Sequence, residues 1–140
     1  MGEKHIRVVA GVVEQEGRYL ITQRREHAVL PLHWEFPGGR VEDSETDEAA
    51  LARELGERLG ATKAAIVRKI GERHHQYERY TVDFALYSVK LDPSQPLEPR
   101  RVREFRWVAS AEFEQYKFCD ADQKTMDQLL GIGKETDDWG

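Results

Sequence analysis

The chain has a single cysteine, Cys119, so it has no intramolecular disulfide framework, and no Cys or His pair is expected to compete for metal with the acidic segment between Gly39 and Gly60. No apolar run approaches the length of a membrane span. The opening Met1-Gly2-Glu3-Lys4-His5 leads into a short alternating segment without a secretory hydrophobic region. A cytoplasmic protein with no membrane partner is the expectation. Positive charge is in deficit: 21 Lys and Arg face 26 Asp and Glu, a net charge of -5. With no basic stripe and no RNA-binding aromatic motif, a polymer carrying one charge per phosphate would meet mostly repulsion, which excludes nucleic acid as an expected partner. There is no internal repeat and no low-complexity tract.

What is present suits one compact core: 140 residues, 39% hydrophobic and 9% aromatic. The domain is expected to span 1–131, with 132–140 a mobile tail. Ile6 to Val13 and Tyr19 to Gln23 are β-rich runs around the polar turn Glu14-Gln15-Glu16-Gly17, the pattern of a hairpin. Residues 27–35 read as a loop broken by Pro31 and lead to the turn Pro37-Gly38-Gly39. Strands are expected over Ala64 to Ile70, over Tyr80 to Leu91 with Tyr80, Val82, Phe84 and Leu86 on one face, and over Glu104 to Val108. Ser110 is expected to cap an acidic turn before a final helix from about Ala121 to Leu130. Strands interleaved with helices make an α/β/α sandwich with a mixed central sheet the economical architecture.

The most specific segment lies between Gly39 and Gly60. Leu51, Leu55 and Leu59 form one apolar stripe at helical spacing, while Glu54 and Glu57 are neighbours on an adjoining face. Thr46 is placed to cap the helix N-terminus, Asp47 and Glu48 fall in its first turn, and Gly60 suits its C-terminal end. Carboxylate oxygens are hard ligands, so such a pair selects Mg2+ or Mn2+, ions that commonly bridge to substrate phosphates. The preceding glycines permit close backbone approach and could offer a carbonyl to a metal. Two glutamates at this spacing alone would be an ordinary solvated face; the surrounding string is what narrows the reading.

That string, Gly39-x5-Glu45-x7-Arg53-Glu54-Leu55-x-Glu57-Arg58-x-Gly60, resembles the box of the Nudix hydrolase family, and Trp34-Glu35-Phe36-Pro37-Gly38-Gly39 resembles the segment leading into it in MutT-like members. The resemblance implies the Nudix fold. It also implies hydrolysis of nucleoside triphosphates to nucleoside monophosphate and pyrophosphate, with Mg2+ or Mn2+ activating water; oxidised purine and cytidine nucleotides are the variants it leaves open. By analogy Glu54 and Glu57 are metal ligands, Glu54 also a base, and the Gly38 carbonyl a further ligand. Gly39, Glu45, Arg53 and Gly60 belong to the structural part of the motif, with Glu45 and Arg53 expected to pair and brace the loop against the helix. A homodimer is compatible, since dimers are common among relatives.

Two positions depart from the box: Arg58 stands where a second adjacent glutamate is expected, and Ala61 fills the last aliphatic position. A guanidinium cannot ligate a cation. Arg58 either forms an i,i+4 salt bridge with Glu54, worth about 0.2–0.5 kcal/mol, or contacts substrate phosphate directly; the salt bridge is favoured. A distal metal-binding glutamate of MutT-like members corresponds here to Arg101, with Glu98 and Glu104 as nearby substitutes. The alternative function is therefore a nucleotide-binding module that has lost metal ligands. Among substrate contacts, the resemblance assigns Arg24 to phosphate and Arg79 and Asp122 to the base, while Phe36 and Tyr77 could stack on it. His74 and His75 are adjacent in a strand, so at most one faces a cleft. Cys119 reads as a packing residue.

Overall fold

The computed structural model describes residues 4–119. Its first hairpin joins β1 (Lys4–Gln15) to β2 (Arg18–Gln23). The turn is only Glu16-Gly17, with φ of 52° and 78°, because Glu14 and Gln15 still pair with Tyr19 and Arg18. Positive φ at both central residues matches the twist of the flanking strands. Two short strands follow, β3 (Trp34–Glu35) and β4 (Gly38–Arg40). The Gly38-Gly39 segment, expected as a turn, is thus a strand paired with β1, Val9 opposite Gly39 and Ala10 opposite Gly38. Close approach requires the glycines: a Cβ on Gly38 would stand 1.9 Å from the Val9 carbonyl oxygen.

Helix α1 (Asp47–Leu59) begins and ends as its sequence dictates. Thr46 Oγ1 accepts from the Ala49 amide at 3.1 Å, and Gly60 turns left-handed at φ 70° with its amide donating to the Gly56 carbonyl. Ala50, Leu51, Leu55 and Leu59 are fully buried and pack with Val9, Val13, Tyr87, Val89 and Leu91 on one face of the sheet. Each such leucine contributes about 1.5–3 kcal/mol by leaving water.

β5 (Ala64–Gln76) and β6 (Tyr80–Leu91) form a long antiparallel pair. β5 runs six residues past the expected end at Ile70, through register shifts between Ile66 and Arg68 and between Lys69 and Gly71 that interrupt its alternation. β6 alternates as expected: Tyr80 and Val82 join Ile6, Val8 and Tyr77 in a second cluster that Phe84 packs against, while Ala85, Tyr87, Val89 and Leu91 face α1. β7 (Glu104–Val108) pairs with β2, and a 3-10 turn covers Ser110–Gln115. Ala109, not Ser110, is the residue before that turn; its amide donates to Glu112 Oε1.

Among the described residues the strands make one mixed sheet in the order β3-β2-β1-β6-β5, with β4 beside β1 and β7 beside β2; β1 and β6 run parallel and the other strand pairs antiparallel. A mixed sheet carrying α1 is the α/β arrangement expected. The expected final helix, Asp122 and the tail at 132–140 lie outside the described residues. Among the described residues no helix is long and apolar enough to cross a membrane.

Candidate active site

Glu54 and Glu57 of α1 both meet arginines. The Glu45–Arg53 pair forms as a fork: Arg53 Nε donates to Glu45 Oε2 at 2.7 Å and Nη2 to Glu45 Oε1 at 2.9 Å. Arg53 Nη2 also reaches the Arg40 carbonyl at 3.0 Å, tying β4 to the helix. The Arg53 hydrogen bonds, with that from the Glu42 amide, hold the Glu45 carboxyl down at about 2, and Glu45 in turn makes Arg53 harder to deprotonate. Its remaining nitrogen, Nη1, donates to Glu54 Oε1 at 2.9 Å and lies 3.4 Å from Glu57 Oε2. One guanidinium thus fixes all three glutamates of the motif.

Glu54 lies over β4, where a Cβ on Gly39 would stand 2.5 Å from its carboxyl carbon, so Gly39 makes room for the acid. Its second oxygen accepts from Arg58 Nε at 2.6 Å. The i,i+4 bridge is therefore present, but both partners are buried, Glu54 at 6% and Arg58 at 3% exposure. The small value expected of a surface pair does not apply in this setting, because loss of either member would strand a charge out of water. A direct phosphate contact by Arg58 is not offered by this placement. Glu57 is more open and accepts from Arg101 Nη1 at 2.8 Å. The residue standing where a distal ligand was expected thus reaches the site and supplies a cation to it. The proposed substitutes are engaged elsewhere: Glu98 pairs with Arg100, and Glu104 with Arg103 and Arg106.

A residue that sequence reasoning passed over adjoins this group. Glu35, in β3, accepts from Arg24 Nη1 at 3.2 and 3.3 Å, and Cys119 Sγ lies 3.8 Å from it. Burial pushes the Glu35 carboxyl up, against the opposing charges of Arg24 and Arg58. Register explains the pairing: Gln23 lies opposite Trp34 and Thr22 opposite Glu35, which brings the end of β2 to β3. Arg24, expected to bind phosphate, is instead 2% exposed and also donates to the Val29 carbonyl at 2.6 Å. It is taken up in holding residues 24–35 together.

On the face of β6 away from α1 lies a cleft of about 460 Å³, walled by Phe36, Gly71, Arg73, His75, Tyr77, Val82, Phe84 and Leu86. A mostly apolar cavity of this size suits a drug-sized or nucleotide-sized ligand. Phe36 and Tyr77 are both in its wall, Tyr77 stacked on Tyr80 with ring centroids 5.1 Å apart. Arg79 is exposed in the β5–β6 connection and does not line the cleft. His75 faces the cleft and His74 the opposite side of the sheet, as strand alternation requires. The run from Phe36 to Gly39 joins the two features, one end in the cleft wall and the other beneath Glu54.

Comparison with known proteins agrees with this geometry. A family model described as NUDIX domain matches residues 8–128. The 8-oxo-dGTP diphosphatase of Haemophilus influenzae is 34% identical over 132 residues, covering 93% of this chain and 95% of that protein. The CTP pyrophosphohydrolase of Escherichia coli K12 is 28% identical over 129 residues, covering 92% and 94%. Among solved structures, the E. coli ORF135 protein superposes with a TM-score of 0.71 at 27% identity, over 94% of this chain and 92% of that one. The MutT protein of Methanosarcina mazei Go1 gives the same TM-score at 18% identity, a likeness of fold.

Proposed function

The chain belongs to the Nudix family, and from that premise we propose that it hydrolyses nucleoside triphosphates to nucleoside monophosphate and pyrophosphate. Oxidised purine and cytidine nucleotides are the substrate classes to test first, by analogy with relatives named 8-oxo-dGTP diphosphatase and CTP pyrophosphohydrolase. The observation that carries the reading is the Phe36-to-Gly39 run, which reaches from the wall of the apolar cleft at Phe36 to Glu54 of α1 at Gly39.

Nudix hydrolases generally use a divalent metal. The donor chemistry here fits a hard cation: Glu54 and Glu57 would hold Mg2+ or Mn2+ with the Gly38 carbonyl. The fit has a cost, since both carboxylates already accept from guanidiniums. Arg101, with nearly half its side chain exposed, is the arm free to swing away, whereas Arg58 is enclosed. A bound ion would neutralise phosphate charge and lower the pKa of its water. The chain's own residues do the rest. Arg53 orients Glu54 and Glu57, and Phe36 and Tyr77 flank the base while the triphosphate extends toward α1. Water supplies the new oxygen on phosphorus as the phosphoanhydride bond breaks.

A second reading is favoured by the two arginine contacts themselves. With Arg58 on Glu54 and Arg101 on Glu57, the fold could hold a nucleotide without turning it over. Incubating the protein with a nucleotide panel and Mg2+ or Mn2+, then measuring pyrophosphate, separates the two: release above a Glu54→Gln control supports the enzyme, and binding with no such release supports the module. The same proposal takes 1–131 as the domain, a cytoplasmic location and no nucleic acid polymer as partner. Whether the chain forms a homodimer is answered by sedimentation.

A further inference from the structure

His5, His74 and Asp83 come from three adjacent strands and converge on the α1 side of the sheet. Asp83 in β6 lies directly opposite His74 in β5, and diagonally from His5 in β1, whose own partner is Thr81. His5 Nε2 meets one Asp83 oxygen and His74 Nδ1 meets the other. The three donor atoms all lie within 4.8 Å of one another. We infer that these residues form a second divalent-metal site, of two imidazoles and one carboxylate, that takes Zn2+ or a similar first-row ion.

Ligand choice separates this site from the acidic one. Two imidazoles with a carboxylate suit Zn2+, Co2+ or Ni2+, while Mg2+ prefers an all-oxygen set with several waters. Geometry is close to what is needed. Donors bound at about 2 Å from one ion stand no more than about 4 Å apart, so modest rotamer changes in three half-exposed or exposed side chains complete the set. The site is also open. It borders a cavity of about 360 Å³ lined by Arg7, Asp47, Lys69, Glu72, Arg73 and Phe84, which leaves room for water to fill the remaining positions. Nearby charges are largely engaged with each other, Arg7 with Asp47 and Lys69 with Glu72.

The location gives the ion a structural consequence. It would clip β1, β5 and β6 together beyond the N-terminal end of α1, where Asp47 borders the same cavity. The reverse side of those strands carries His75, Val82 and Phe84 in the cleft wall. Glu54 and Glu57 sit in the later turns of α1, so the two sites can be filled independently.

The test is a Co2+ titration of tag-free protein at slightly alkaline pH in excess Mg2+, followed by visible absorption. Expected are the d–d bands of nitrogen-ligated, low-coordinate Co2+ at one equivalent per chain. Zn2+ should abolish them, Glu54→Gln should keep them, and His74→Ala or Asp83→Asn should lose them. Bands that survive both site variants, or no Co2+ uptake at all, would overturn the site. Histidine side-chain NMR of the unaltered protein gives an answer independent of variant folding. Zn2+ should shift the rings of His5 and His74, and the site fails if only His27, His33 or His75 respond.

Discussion

The acidic pair on α1 and Asp83 on the sheet both set carboxylates against nitrogen-bearing side chains, yet those side chains differ in kind. Glu54 and Glu57 are held by Arg53, Arg58 and Arg101; Asp83 is held by two histidines. A guanidinium keeps its proton and cannot ligate a metal, so an incoming ion must displace it bodily. An imidazole nitrogen that carries no proton is itself a metal ligand. The first arrangement opposes metal entry and the second prepares for it. Burial sharpens the contrast, for Arg58 and Glu54 are enclosed while His5 and His74 are exposed.

The largest effect expected from breaking the arginine side of this comparison is on folding. Glu35→Leu would remove the carboxylate to which Arg24 Nη1 donates out of contact with water, and urea unfolding should show a loss of about 3 kcal/mol; a loss below about 1 kcal/mol would mean that the pair is not structural. Next comes Glu54→Gln. Pyrophosphate release should fall by on the order of 10²-fold or more, with the circular dichroism spectrum unchanged.

Arg58→Glu addresses the odd residue directly. Without metal it crowds Glu54 and Glu35 with a third carboxylate and should cost about 2 kcal/mol of stability. Mg2+ should restore that loss, bind more tightly than to the unaltered protein, and raise turnover. Reduced turnover in Mg2+ would instead assign Arg58 a part in handling phosphate. The smallest effect concerns Glu45, held down at about 2 from an ordinary value of 4.5 by Arg53 and the Glu42 amide. A carboxyl lowered by folding stabilises the protein above its unfolded pKa and ceases to do so as pH falls through its folded one. The stability difference between the unaltered protein and Glu45→Gln should therefore be about 1 kcal/mol at neutral pH, after solvent screening, and should disappear between about pH 4.5 and 2.

Much of α1 was legible because its signals are local. Thr46, the leucine stripe and Gly60 act within a few residues of one another, and the Glu45–Arg53 pair is part of the same motif. The strands of β6 and β7 were legible for a similar reason, since alternation is a short-range pattern. β4 was not, because glycines carry no side chains to alternate and only the approach to Val9 makes them a strand. The extension of β5 was hidden by the shifts near Val67 and Ile70. Arg24–Glu35 and His5–His74–Asp83 depend on which strands lie side by side, and Arg101 reaches Glu57 across 44 positions of chain. Residue identities alone carry no register, so the closeness of His5, His74 and Asp83 is visible only once β1, β6 and β5 stand side by side.

The central claim is that an arginine-balanced acidic pair still performs metal-dependent hydrolysis once Arg101 yields its place on Glu57. Pyrophosphate release measured against Mg2+ concentration, for the unaltered protein beside Arg101→Ala, tests it most directly. Release should require Mg2+ in both, with the half-saturating concentration roughly fivefold lower in Arg101→Ala, the scale of one exposed ion pair removed. Release without metal, or the same Mg2+ dependence in both proteins, would contradict it.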